Sequence, residues 1–234
     1  MVARRLAGLD EAGRGCVIGP MAVAGVLVDE EGLAELVSLG VKDSKALSPS
    51  TRERLASCIR SVALAYKVVL VQPEEIDKAV ARKALNRLEA NVMARIICDL
   101  CPDVAYVDAS DVVEARFASM ICACLPPGLD VQVIAKHGAD ARYPVVAAAS
   151  ILAKVERDRA IAELKRELGV DFGSGYPTDA RTIAFIREWC KRHKGLPSFV
   201  RRSWRTARRT VTEALTAKLD KWGRGKSEGG HVSS

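Results

Sequence analysis

Asp10 and Glu11 are adjacent carboxylates closing an apolar run that begins at Leu6. Behind them stand Gly13, Arg14 and Gly15, one fixed cation between two residues of wide backbone freedom. Neighbours along a strand point to opposite faces, so a shared site for both acids calls for a chain turn there. A Gly-Arg-Gly step offers bare backbone N–H groups and a guanidinium, which suits a phosphate or a ribose. Carboxylates beside a phosphate binder would repel the substrate, and a divalent cation between them removes that conflict. The plain alternative is an exposed strand end with a tight glycine turn.

Two further acids occupy similar places. Asp108 ends the short apolar run Val104-Ala-Tyr-Val-Asp108, and Asp140 sits between His137-Gly138 and Arg142-Tyr143-Pro144. In α/β sheets, ligands gather at strand ends. Four oxygen donors without clustered His or Cys fit Mg²⁺ or Mn²⁺ better than zinc. Two such ions about 3.5–4 Å apart are a standard apparatus for in-line phosphodiester hydrolysis. Taken singly, Asp108 or Asp140 reads equally well as a cap or a surface acid.

The elements that must position these acids are legible in outline. Strands are expected at about 4–10 and 18–28, joined as a hairpin by the Gly-Arg-Gly turn, and at 63–71. Ser48 and Pro49 cap a helix. Leu85, Leu88, Val92, Ile96 and Leu100 recur at helical spacing, and Pro102 stops that helix. A strand at 104–108, a helix at 114–124, a strand at 131–135 and a long helix from Pro144 to about Leu168 follow. Gly173-Ser-Gly-Tyr-Pro177 is a loop, and helices are expected at 178–193 and 203–221. This order implies an α/β chain with a mixed five-stranded sheet flanked by helices. The expected division is a catalytic unit over 1–168, a basic all-helical lobe over 169–226 and a polar tail over 227–234.

Charge separates the two parts. The net charge is +7, yet 13 Lys/Arg against 3 Asp/Glu lie between Arg187 and Lys226. Such a block favours a polyanion, against the ordinary reading of a solvated helix face. No run approaches the roughly 18 apolar residues of a membrane span, and no signal peptide is evident, so a cytoplasmic protein is expected. The 7 cysteines read as buried free thiols. Cys98-Asp-Leu-Cys101 has zinc or redox spacing, but Cys122-Ala-Cys124 does not complete a zinc set.

Several segments together resemble the ribonuclease HII family, its archaeal form most of all. They are Gly8-Leu-Asp-Glu-Ala-Gly-Arg-Gly15, Asp43-Ser-Lys45, Tyr106-Val-Asp108, Lys136-His-Gly-Ala-Asp140, Tyr143 through Lys154, Gly173 through Pro177 and Ser203-Trp-Arg-Thr206. The resemblance implies an RNase H-like fold with a C-terminal helical lobe. It implies an endonuclease acting on RNA–DNA hybrids and on ribonucleotides embedded in duplex DNA. Incision 5′ of the ribonucleotide would leave 3′-hydroxyl and 5′-phosphate ends. Asp10, Glu11, Asp108 and Asp140 would be ligands of two Mg²⁺ or Mn²⁺ ions, with Asp10 bridging. Gly13, Arg14, Gly15 and Tyr176 would read the 2′-hydroxyl, the group that tells RNA from DNA. Lys45 and Asn86 would contact phosphate, and Ser150, Lys154, Arg208 and Arg209 the nucleic-acid backbone. His137 is a candidate mobile acid or product-release group, although a structural histidine explains it as well. Tyr143 reads as packing. A monomer is expected, with no clamp partner named by the sequence.

Other classes compete. An integrase-like strand transferase would also collect acids at strand ends but lacks the Gly-Arg-Gly and Gly-Tyr-Pro pair. A non-catalytic nucleic-acid clamp would need only the basic helices. An ATP-driven helicase is excluded by the lack of any G-x-x-x-x-G-K-[ST] phosphate loop.

Overall fold

The computed structural model describes residues 4–41, 47–193, 195–214 and 216. Five strands form one sheet in the order β3-β2-β1-β4-β5. They are β1 Leu6–Ala12, β2 Met21–Val28, β3 Ala65–Val71, β4 Val104–Asp108 and β5 Gln132–Lys136. The first three pair antiparallel, and β1–β4 and β4–β5 pair parallel. The sheet is therefore mixed, with β1 in the middle.

Helices cover both faces. α1 is Glu30–Ser38, α2 Pro49–Val62, α3 Pro73–Ala81, α4 Leu85–Leu100, α5 Glu114–Cys122, α6 Ala139–Arg142, α7 Pro144–Leu168 and α8 Ala180–Arg192. A further helical segment spans 205–214. One face of the sheet packs on α7, α2 and α1 through Ala24, Val26, Ile59, Val146 and Leu152. The other packs on α4 and α5 through Leu9, Val23, Met93, Ile97, Val107 and Phe117. Aromatics are scarce in both cores but gather in the C-terminal part. There Phe172, Phe185, Trp189 and Phe199 pack with ring centroids 5.5–6.2 Å apart.

The approach of α7 to β1 depends on Gly8. A Cβ at that position would lie 2.2 Å from the Val145 carbonyl carbon. Only glycine lets the first turn of α7 cross the strand that closely.

Three expectations need correction. First, β1 continues through both Asp10 and Glu11, and no turn gathers them. Second, β1 and β2 are antiparallel neighbours, but 13–20 is a docked loop rather than a tight hairpin turn. Its Val17 and Ile18 are fully buried in the C-terminal core beside Phe172, Ile186 and Val200. Apolar side chains there had another surface to bury against, so the strand begins only after Pro20. Third, the cysteines are free, yet only Cys16 and Cys190 are buried, while Cys101 and Cys122 are exposed. Apolar neighbours in sequence did not place those two side chains inside. The 217–221 end of the last expected helix and the 227–234 tail lie outside the described residues.

Candidate active site

Strand pairing gathers the acids. Leu9 of β1 is in register with Val107 of β4, so Asp10 and Asp108 follow side by side at parallel strand ends. Asp108 closes β4, and its Oδ1 accepts the Ala139 N–H at 2.8 Å, where α6 begins. That bond ties β4 to the short helix carrying Asp140. Asp10 and Asp140 are each only 5% exposed.

Three neighbours hold Asp10. The Glu11 N–H donates to its Oδ1 at 2.7 Å. Ser150 on α7 hydrogen-bonds its side chain, and the Lys154 charge lies near. Lys154 Nζ also donates to Ser150 Oγ at 2.8 Å, one helical turn away. Burial, reinforced by Asp108, nevertheless pushes the Asp10 carboxyl up to about 7. Burial and then Asp10, Glu89 and Asp108 raise Glu11 well above the usual carboxylate range. Clustered acids in a poorly solvated place disfavour their own ionisation. Ser150 and Lys154 thus stand beside the acids.

The Glu11 Oε2 atom is buried and accepts no hydrogen bond. As the side chains stand, no three His, Cys, Asp or Glu among the described residues are gathered closely enough to hold an ion. The donor set itself fits a hard divalent cation: carboxylate oxygens, one buried without a donor, and two carboxyls whose charge calls for neutralisation.

Arg14 is tethered to α4 while its charge still offsets that of Glu11. Its Nε donates to Glu89 Oε1 at 2.6 Å and its Nη2 to Asn86 Oδ1 at 2.7 Å, both on α4. Glu89 is fully buried and also accepts from Ser110, just past β4. Asn86 Nδ2 in turn donates to Asp111 Oδ2 at 2.7 Å. Asn86 therefore orients Arg14. Gly13 has φ +80°, a left-handed conformation that favours glycine, and Gly15 is exposed.

Tyr176 adjoins the same loop through Cys16. Its ring sits 4.7 Å beneath the Arg157 guanidinium, and its hydroxyl hydrogen-bonds Cys16. Burial and the neighbouring Cys16 push the phenol up to about 12. Gly175 O accepts from Val17 N at 2.8 Å and Ile18 N at 3.1 Å, joining the Tyr176 loop to the Gly13–Gly15 loop. Arg157 on α7 is buried and donates to Cys16 Sγ at 2.9 Å and to Ser174 O.

The remaining expected residues make other contacts or lie outside the described residues. His137 points its ring nitrogens at Ala109 O (3.2 Å) and Val112 O (3.3 Å). Tyr143 stacks on Tyr106 at 4.4 Å. Arg208 and Arg209 are exposed on the 205–214 segment. Lys45 lies outside the described residues. Arg201, which reads as one of the basic surface set, is instead fully buried. Glu89 and Arg157 were not expected to matter, and Arg201 was expected only as part of the basic duplex grip. Glu89 alone left a signal, being a charge on the apolar stripe of α4 that runs through Met93 and Ile97 to Leu100.

Comparison with known proteins supplies the family. A family model described as Ribonuclease HII matches residues 7–207. A curated ribonuclease HII of Pyrococcus furiosus is 48% identical over 92% of this chain and 94% of its own length. A crystal structure of ribonuclease H2 from Pyrococcus horikoshii superimposes with TM-score 0.83 at 45% identity, covering 90% of this chain and 99% of its own. The ribonuclease HII in a complex with PCNA from Archaeoglobus fulgidus gives 0.78 at 46% identity, covering 86% and 94%.

Proposed function

The chain belongs to the ribonuclease HII family, and from that premise we propose that it is a divalent-metal endonuclease for ribonucleotides in duplexes. It cleaves the RNA strand of RNA–DNA hybrids and incises duplex DNA 5′ of an embedded ribonucleotide. The products carry 3′-hydroxyl and 5′-phosphate ends. The observation that carries this reading is the parallel register placing Asp10 beside Asp108, with Asp140 tied in through Ala139.

Asp10, Glu11, Asp108 and Asp140 would hold two Mg²⁺ or Mn²⁺ ions. The chemistry a bound divalent ion supplies is activation of the attacking water and stabilisation of the leaving oxygen. Ser150 and Lys154 keep Asp10 oriented and draw it toward its charged form. The Gly13–Gly15 backbone and Tyr176 read the 2′-hydroxyl and the adjoining sugar, so base sequence does not enter. Asn86 and Lys45 serve the phosphate path, Asn86 through its hold on Arg14. Residues 1–168 act as the catalytic unit, and the basic lobe grips the duplex backbone through Arg208 and Arg209.

The enzyme works in the cytoplasm as a monomer. Among the described residues no helix is long and apolar enough to cross a membrane. The Archaeoglobus complex extends the partner reading to a sliding clamp. The test is cleavage of a labelled duplex carrying one ribonucleotide, with and without Mg²⁺ or Mn²⁺. Incision 5′ of the ribonucleotide, dependent on the ion, is expected. Cutting of an all-DNA duplex at the same rate would overturn the reading.

A further inference from the structure

Arg201 is the bulkiest fully buried side chain among the described residues. It sits where 199–201 runs beside 17–19. Val200 bridges Ile18, Arg201 N donates to Val17 O at 2.9 Å, and Gly19 N donates to Phe199 O at 2.9 Å. Its guanidinium is satisfied by carbonyl oxygens of one loop. Nε donates to Gly19 O at 3.0 Å, Nη1 to Arg14 O at 2.7 Å and Nη2 to Gly13 O at 2.8 Å. The Trp204 ring covers it at 5.0 Å. Burying a charge is costly unless its hydrogen bonds are made. An exposed arginine, such as Arg202 next to it, would attract nucleic acid without that cost.

The geometry has a consequence for the amides. In a trans peptide the C=O and the following N–H point to opposite sides. With Gly13 O and Arg14 O drawn into the Arg201 fork, the N–H groups of Arg14 and Gly15 face the other way. Gly15 is exposed, and a Cβ built on it would meet nothing within 4 Å, so the loop has open space about it. Successive outward N–H groups form a concavity for an electron-rich group. The Arg14 side chain is meanwhile tethered to α4 through Glu89 and Asn86. The loop is therefore pinned from two sides, by its side chain on the sheet-covering helix and by its carbonyls on the C-terminal lobe.

We propose that Arg201 is a positioning residue for ribonucleotide recognition: it fixes the 13–15 peptide planes so that their amides meet the ribose 2′-hydroxyl. The C-terminal lobe is then part of the specificity device as well as a grip on the duplex. This inference rests on the ribonuclease reading above. A lysine cannot replace the arginine, because one ammonium on a flexible stem lacks the planar fork that spans three separate carbonyls.

The test compares the wild-type chain with Arg201→Lys on two substrates, a duplex with one ribonucleotide and a continuous RNA–DNA hybrid. Circular dichroism and the melting temperature monitor folding. The expected loss in kcat/KM at the lone ribonucleotide is on the order of 10²-fold, the cost of a small misplacement of a recognition group. The loss on the hybrid is smaller, because its A-like shape and neighbouring 2′-hydroxyls supply contacts that a lone ribonucleotide lacks, and affinity for an all-DNA duplex is unchanged. A purely structural role would lower both activities together and leave their ratio intact, and that result overturns the inference. Should Arg201→Lys fail to fold, Trp204→Leu strips the cover from the guanidinium, and the same fall in the ratio is expected. An unchanged ratio there overturns the inference equally. Wild-type protein that cuts neither substrate would instead strike the ribonuclease reading itself.

Discussion

Tyr176 joins the two recognition loops through one hydroxyl, and its removal should be felt unevenly. Its partner Cys16 follows Gly15 directly, and Arg157 covers its ring. Tyr176→Ala is expected to impair incision at a lone ribonucleotide more than cleavage of a continuous hybrid, as read by kcat/KM on each. Equal losses would refute a specific role. Asp111 makes a different prediction. Arg116, then the Val113 N–H, with Asn86 adding a bond, hold its carboxyl down at about 2. A carboxyl depressed below its unfolded value of roughly 3.9 stabilises the fold above that value. That contribution disappears as pH falls from about 4 through about 2. Asp111→Asn should therefore flatten the acid limb of a urea-unfolding series between those pH values, and a limb as steep as wild type would contradict the assignment. At this scale Asp10, Glu11 and Asp108 stood out because they close apolar runs, while Asp140 stood out only through the segment around it that resembles the family. Arg157 and Arg201 were not, because a buried arginine and a surface arginine look alike until the partner backbone is in place.

At the scale of elements, α7 does most of the positioning. It crosses β1 at Gly8, and it carries Ser150 and Lys154 to Asp10 and Arg157 to the Cys16–Tyr176 contact. Gly8→Ala would set a Cβ against backbone, which cannot swing aside as a side chain can. The expected cost is about 3 kcal/mol, the upper end of overpacking. For a chain of this size that lowers the melting temperature by roughly 6–12 °C, measurable by calorimetry. Ion-dependent activity should fall with it as Ser150 moves off Asp10. Strands β4 and β5 and helices α4 and α7 were legible from apolar spacing and from Pro102, Pro144 and Gly169 at their ends. Helices α1 and α3 went unanticipated although their caps are written in the sequence. Asp29 accepts the Gly32 N–H ahead of Glu30 and Glu31, and Gln72 and Glu75 box the start of α3 behind Pro73. Both are nine residues long, which gives periodicity few positions to act on. The 13–20 loop misled for a physical reason. Val17 and Ile18 look like strand residues, and only the distant Phe172–Val200 core shows what buries them.

Across the whole molecule, charge and chemistry occupy different parts, joined by the 13–20 loop, by α7 and by the bonds of Arg202 and Ser203 to Asp77. The basic block near the C-terminus reads as a polyanion grip, yet its members divide. Arg201 is sealed inside, while Arg208 and Arg209 are exposed. Reversing both exposed charges should weaken duplex binding and make log affinity against log salt shallower by about two units, near 0.9 for each phosphate no longer neutralised. An unchanged slope would show that these arginines do not touch nucleic acid. The central claim is that acids from β1, β4 and α6 form a single metal-dependent hydrolytic centre. It is tested most directly by single-turnover cleavage of a one-ribonucleotide duplex in Mn²⁺ by wild type, Asp10→Asn, Asp108→Asn and the double variant. Each single variant is expected to lose at least roughly 10³-fold while still binding the duplex, and the double to lose no more than the worse single, since groups acting as one unit are strongly non-additive. A single variant with near-normal rate, or a double variant slower by the product of the two losses, would contradict the account.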